Sequence, residues 1–415
     1  MFFLEIMWNL WLKIRNFALE NSGIVKIRTA LMTLHVFNPE HDLALASGLS
    51  NFTAPHAGRR LRADLGYLPA LWAGADDCVL VEHVGQARQA WGRLRARVGG
   101  RPCQFVDKSQ LGRLDISRVE PWGWDMPLRS SLIRHGVSPR ACASEAEIAD
   151  IRQCSHRRMA VRVQERLRMV PSVEVSSVDE VATFFTHSSS SPVVVKAPWS
   201  SSGRGVRFVD SAHFDHFRGW IANVIRQQGS VMVEPYRPKV KDFGMEFEMQ
   251  PDGMANYLGL SLFTTHNGAY AGNVIASEDD KRDMISRYVP ASSVDIVRAK
   301  VMDALREVLG RRYVGPLGVD MMIVSHPSVD GFLIHPCVEI NLRRTMGHVA
   351  IAMANARSRS EACGGRSENT SAAESALEHI SLLPPHSSLL EEVSFPPREM
   401  QITLSDKYRI HINRL

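Results

Sequence analysis

Between Met32 and about Cys154, short strand-like apolar runs alternate with helix-like segments. Residues 34–37 and 78–81 read as strands and 87–98 as a helix. This pattern predicts an open α/β domain, whose ligands sit beyond the strand ends. Asn38-Pro39-Glu40-His41-Asp42 directly follows the first strand. Asn38, Glu40, His41 and Asp42 are therefore placed either to bind substrate or to form a turn and helix cap. Further along, Val193-Val194-Val195 leads into Lys196, and a second strand starts at Val206. Val231-Met232-Val233 runs into Glu234-Pro235-Tyr236, as a chain does on leaving a sheet. The next strand, from Asp242 to Glu248, carries acids at its start and along one face. Residues 255–262 read as a strand, and 263–273 as a long polar loop rich in hydrogen-bonding side chains, among them His266, Tyr270 and Asn273. Gly318 to Ile323 and Phe332 to Ile340 read as an antiparallel pair around a turn at 325–331. At the end, 400–404 and 408–412 read as a closing hairpin.

The strongest chemical signal is VVVKAPWSSSGRGVRFV, residues 193–209. A strand, a lysine and a Ser/Gly turn into another strand suit a triphosphate. The ammonium supplies a point charge, and Ser200, Ser201, Ser202, Gly203 and Gly205 let backbone N–H groups approach phosphate oxygens. A plain hairpin connection and a solvated edge lysine remain the alternative. Lysine is scarce here, nine residues against forty arginines, so one at the end of a buried-looking strand is notable. The segment is not a Walker loop, because GxxxxGK[ST] does not occur, and it opens no helix as a dinucleotide fingerprint does.

A second cluster lies about 120 residues later. Glu339 and Asn341 are two apart and project to one face of a strand. If the hairpin pairs as its length suggests, Asp320 lies across from them. Two carboxylates and a carboxamide form a hard oxygen site suited to Mg²⁺ bridging nucleotide phosphates. Salt bridges from the acids to Arg343 or Arg344 are the competing account. Backbone groups around Glu234 could read an adenine edge and Asp242 could bind ribose hydroxyls; solvated strand ends are the alternative for each.

In this order, the lysine strand with KAPWSSSGRGV, VMVEPY, DFGMEF, GVDMMI and EINLRR resemble the ATP-grasp superfamily, specifically its carboxylate–amine ligase-like members. The resemblance runs from about Ser155 to Met353. It implies two α+β lobes clasping a nucleotide, preceded by an open α/β domain. It further implies that Lys196 contacts the phosphates, that the 200–205 loop closes over them, and that Glu234 and Tyr236 belong to the adenine hinge. Asp242 would take the ribose. Asp320, Glu339 and Asn341 would hold Mg²⁺, with Mn²⁺ a substitute, and Arg343, with Arg344 beside it, would face the acyl-phosphate or the substrate carboxylate. One departure stands out. The usual lysine ahead of the glycine-loop strand is replaced by Ser155-His156-Arg157-Arg158, so Arg157 or Arg158 would substitute, with a fork in place of a point charge.

Composition changes this picture little. At 415 residues, 45% hydrophobic and 22% charged, the chain is an ordinary globular one of two or three subdomains. A net charge of +5 without a basic aromatic stripe argues against nucleic acid. Six cysteines without CxxC spacing, and no HExxH, suit a reduced cytoplasm better than a disulfide or zinc scaffold. Residues 1–31 are apolar but broken by Glu5, with Lys13 and Arg15 after the apolar part. They make a poor signal peptide and too short a membrane span, and read as an extension before a fresh start at Met32.

The expected divisions are therefore an extension (1–31), an N-terminal α/β domain (32–154), a small lobe (155–230) and a large lobe (231–355). A low-complexity mobile connection (356–376) and a closing segment (377–415) follow. The expected activity joins a small-molecule or peptide carboxylate to an amine at the expense of ATP, without nucleic acid or membrane partners. An ATP-grasp phosphotransferase and a non-catalytic nucleotide-binding module are the alternatives.

Overall fold

The protein is described from a computed structural model, which places residues 32–187, 192–200, 205–266, 269–325, 331–362, 378–383, 400–402 and 409–414. The expected extension at 1–31 lies outside these residues.

Strands β1 (Met32–Val36), β2 (Cys78–Leu80), β3 (Gln104–Val106) and β4 (Ile116–Pro121) form a parallel sheet in the order β3-β2-β1-β4. Leu34, Val36, Cys78, Val79, Leu80, Phe105 and Val106 are all buried, as expected when both faces of a parallel sheet are covered. One cover is the helix Val84–Val98, whose buried Ala87, Ala90, Trp91, Leu94 and Val98 recur at helical spacing and form a stripe toward the core.

The small lobe is an antiparallel sheet of β5 (Val173–Val175), β6 (Val193–Lys196), β7 (Val206–Val209) and β8 (Val231–Pro235), ordered β5-β8-β6-β7. Every residue of β6 is buried, because it is central and the helix Phe214–Gln228 packs Phe214, Ile221 and Val224 into the same core. That helix ends at Gly229, whose φ of 89° lies in the left-handed region that favours glycine.

The large lobe is built on β9 (Lys239–Met249), β10 (Ala255–Ser261), β13 (Gly315–Ser325) and β14 (Phe332–Asn341), ordered β10-β9-β13-β14. Phe243, Met245, Phe247 and Met249 of β9 and Leu317, Val319, Met321 and Ile323 of β13 alternate into the main core, packed by the helix Ala291–Val308. Their intervening residues, among them Glu246 and Asp320, face the other way, toward the small lobe and the N-terminal domain.

Two expectations are corrected. Residues 263–273 are not a loop. They form a hairpin of β11 (Phe263–His266) and β12 (Ala269–Ile275), and β12 continues into a sheet with β15 (Glu378–Leu383), β17 (Arg409–Arg414) and β16 (Met400–Ile402). Its polar residues obscured the strand pattern because several line a cleft instead of alternating with core positions. Second, residues 356–362 belong to the helix Met346–Ala362, not to a connection. Val349, Ala350, Met353 and Ala356 bury its inner face, and the polar run that follows continues the helix outward.

Candidate functional site

The two lobes and the N-terminal domain enclose a cleft of about 750 Å³. On the small-lobe side, β6 ends at Lys196, which is only 6% exposed. Its Nζ lies 2.5 Å from Glu234 Oε1 on the neighbouring strand β8 and 3.5 Å from the Val338 carbonyl oxygen. Glu234 also accepts from the Ser172 hydroxyl at 2.8 Å. Burial pushes its carboxyl up, but Lys196 and these hydrogen bonds outweigh burial and hold it below the usual range. The Glu234 carboxylate thus turns inward to the lysine. The Tyr236 N–H bonds the Pro192 carbonyl oxygen, and its ring meets Phe208 edge-on, centroids 6.0 Å apart, at the cleft wall.

The glycine loop leaves this wall between Ser200 and Gly205, with Ser201, Ser202 and Gly203 outside the described residues. At its neck, Ala197 N–H bonds the Gly205 carbonyl oxygen at 2.8 Å. Gly205 is required there because a Cβ would fall on Ser200. Arg157 spans from this neck to the opposite lobe. It donates to the Ala197 carbonyl oxygen, to Ser200 Oγ at 2.8 Å and to Glu339 Oε1 at 2.7 Å. Arg158 instead pairs with Glu174 at 2.7 Å on an exposed face. Of the two arginines the sequence offered, only Arg157 reaches the cleft residues.

On the large-lobe side, Asp320 pairs with Glu339 across the β13–β14 ladder, and Asn341 Nδ2 donates to Asp320 Oδ2 at 3.1 Å. Burial, then the neighbouring Glu339 and Glu246, push the Asp320 carboxyl up to about 7. An acid perturbed in this way is short of positive charge, which a divalent cation would supply. Among the described residues no three His, Cys, Asp or Glu side chains cluster as a metal cage. Two carboxylates and a carboxamide suit Mg²⁺, which takes few protein ligands and completes its shell with phosphate and water. Asp242, also on the cleft wall, is held by Lys239 Nζ at 2.7 Å and the Thr265 hydroxyl at 2.6 Å.

Arg343 extends the site toward the N-terminal domain. Its Nε and Nη2 both lie 2.8 Å from Asp42 Oδ2, and Nη2 donates to Asn341 Oδ1 at 3.1 Å. Burial raises the Asp42 carboxyl, but Arg343 and then His41 outweigh it and the net shift is downward. Arg344 does not join the site. It lies over the Trp72 ring at 4.6 Å, 3.5 Å from Glu120, inside the N-terminal domain.

The other expected substrate residues divide. Asn38 donates to the Gly123 carbonyl oxygen and to Asp125, and Glu40 pairs with Arg62. Both line a separate cavity of about 810 Å³ at the strand ends of the N-terminal domain. His41 is buried near Asp125 and does not line the cleft. Tyr270 and Asn273 do line it. Tyr270 donates to Asn273 Oδ1 at 2.6 Å, and Asn273 Nδ2 donates to Ser261 Oγ at 2.9 Å. His266 pairs with Ala269 in the β11–β12 ladder, and its side chain lies outside the described residues.

Sequence reasoning missed Glu246, Ser261 and Thr345, which also line the cleft. Their signal was faint. Glu246 is one of several acids on its strand, and Ser261 and Thr345 belong to no motif.

No family model matches the chain, and no curated protein matches it. Solved structures do. N5-carboxyaminoimidazole synthetase from Staphylococcus aureus, complexed with ADP, shares 13% identity over 92% of this chain and 93% of its own, with a TM-score of 0.47. Phosphoribosylamine–glycine ligase from Thermotoga maritima shares 12% over 92% of each chain, TM-score 0.46. A putative ATP-grasp superfamily protein from Archaeoglobus fulgidus shares 15% over 92% of this chain and 99% of its own, TM-score 0.43. The chain's own strand orders give two antiparallel sheets facing one cleft beside a parallel α/β domain.

Proposed function

We propose that the protein is an ATP- and Mg²⁺-dependent ligase that activates a carboxylate as an acyl-phosphate and joins it to an amine. One observation carries the reading: Lys196 and the Asp320, Glu339 and Asn341 set line the same cleft from opposite lobes. Terminal phosphates placed between them would meet a buried ammonium on one side and a hard oxygen site on the other. Val194, Val206, Phe208 and Met322 supply an apolar wall for a nucleobase.

Catalysis in such a site is positional and electrostatic. Lys196 neutralises charge on the phosphoryl group as the substrate carboxylate oxygen bonds to γ-phosphorus and ADP leaves. Bound at Asp320, Glu339 and Asn341, Mg²⁺ would supply charge neutralisation and orientation of the phosphates. Arg343, held by Asp42 at the cleft wall, would lend its charge to the acyl-phosphate. Arg157 ties the loop neck to Glu339, so loop position and metal-site geometry change together. The amine then attacks the acyl carbon and phosphate departs.

The test is product analysis with hydroxylamine as a small nucleophile and a panel of carboxylates. The expected products are ADP, phosphate and a hydroxamate. AMP and pyrophosphate would sink the acyl-phosphate mechanism. ADP with a stable phosphorylated product would indicate a phosphotransferase, and nucleotide binding with no turnover on any substrate a binding module.

A further inference from the structure

Resting on that reading, we propose that Glu246 docks the acceptor substrate as an ammonium, and that the acceptor carries an apolar or aromatic body. Glu246 is 3% exposed yet contributes to the cleft wall. Its Oε1 accepts from the Thr345 hydroxyl at 2.7 Å, while Oε2 is buried without a hydrogen-bond donor. His348 Nδ1 approaches Oε2 at 3.0 Å, but that nitrogen accepts the Thr345 N–H, also at 3.0 Å. In the tautomer whose Nδ1 accepts this backbone N–H, that nitrogen offers Glu246 no proton. The nearby cations are committed elsewhere, Arg343 to Asp42 and Lys239 to Asp242. A buried carboxylate in this state needs a cation, and a ligand can bring it.

The surroundings decide what kind. Glu246 is opposite Gly318 on β13, two residues from Asp320 on the same face, so the two acids are diagonal neighbours about 7 Å apart. A group docked at Glu246 is thus beside the phosphoryl end of the cleft. Residue 347 is glycine beside this carboxylate, and a Cβ there would land on Glu246 Oε1 and Ser261. The adjoining wall is apolar, with Phe37, Leu61 and Trp122 from the N-terminal domain and Met346 packed against their cluster. Ser261, Tyr270 and Asn273 supply a few polar groups, the usual make-up of a small-molecule subsite. The carboxylate and the aromatic wall together select a primary amine with an apolar body, and disfavour a second anion beside Asp320 and Glu246.

The probes are 2-phenylethylammonium and its uncharged counterpart 2-phenylethanol, titrated into the full chain with MgADP present. The wild-type protein should bind the ammonium at least tenfold more tightly than the alcohol. Glu246→Gln should abolish the preference while leaving ADP affinity unchanged, and Glu246→Asp should retain much of it. Gly347→Ala, which changes no charge, should weaken both probes. Equal affinity for the two probes in the wild type, or a preference surviving Glu246→Gln, overturns the proposal. So does a changed Mg²⁺ requirement for ADP binding in Glu246→Gln, since Glu246 would then be a metal ligand. Hydroxylamine, uncharged at the assay pH, separates this from the ligase reading: absence of trapping in the wild type strikes the ligase reading alone, whereas the two probe titrations decide the docking of the ammonium.

Discussion

Replacing Lys196 with methionine keeps an unbranched side chain one atom shorter and removes its charge. It also leaves Glu234 buried beside Ser172 with its ion-pair partner gone. Breaking a buried pair from one side costs about 3–5 kcal/mol, because the remaining charge is uncompensated. Here the cost has a ceiling, since the folded variant can protonate Glu234 instead. Taking up that proton at pH 7, about 2.5 units above the ordinary value of 4.5, costs about 3 kcal/mol. The sign follows directly. In the wild type, Glu234 is held below its ordinary value, so its stabilising share is present above about pH 4.5 and lost on acidification through the folded value. In Lys196→Met the carboxyl rises, so the deficit should shrink by about 1.4 kcal/mol per pH unit as pH falls, vanishing near 4.5. Urea unfolding of wild type and variant at pH 5 and pH 7.5 measures this. Adding Glu234→Gln to the variant should recover most of the lost stability at pH 7.5, yet calorimetry should show ATP affinity still greatly reduced. A deficit that is the same at both pH values, or that the second substitution does not relieve, would refute the reasoning. Wild-type ATP affinity in a folded Lys196→Met protein would remove the lysine from the phosphate site.

Alanine at Asp320, Glu339 or Asn341 should each remove most turnover and combine far less than additively, and excess chelator should abolish the reaction; undiminished turnover in chelator refutes the metal site. Asp320 titrates near 7 in the fold against an ordinary 3.8, so the metal-free protein should lose stability as pH rises between those values. Asp320→Asn should flatten that loss, worth about 4 kcal/mol at most and less where cleft water screens the charge, while eliminating turnover; thermal melts at pH 5 and 8 without Mg²⁺ are the check. Arg157→Lys keeps a charge but cannot reach the Ala197 oxygen, Ser200 and Glu339 together, so kcat should fall at least tenfold with little change in unfolding midpoint; an unaffected kcat shows the bridge is incidental. Asp42→Asn strips Arg343 of its carboxylate and should cost about 3 kcal/mol at neutral pH, an effect that fades in acid as the lowered Asp42 carboxyl is protonated in the wild type; urea midpoints across pH 3–7 report it.

Much of this protein was legible along the chain because its lobes are built from local signals. Runs of β-branched residues ending in Lys196, and alternation with an acid on the outward face at Asp320, specify strands and the direction of their side chains without reference to anything distant. The spacing of Glu339 and Asn341 set them on one face for the same reason. Residues 263–273 and 356–362 misled, because a hairpin lining a polar cleft lacks apolar alternation and a helix end facing solvent looks like linker. Tertiary structure alone decided which of two adjacent arginines crosses the cleft, since Arg157 and Arg158 differ in the direction they leave the chain and not in chemistry. It also sent Arg344 to Trp72 while Arg343 met Asp42, 301 residues away in sequence. Glu246 shows the limit most clearly. Its isolation depends on a histidine proton placed by the Thr345 backbone and on space left by Gly318 and Gly347, and contacts between distant segments leave no periodic trace for a sequence to display.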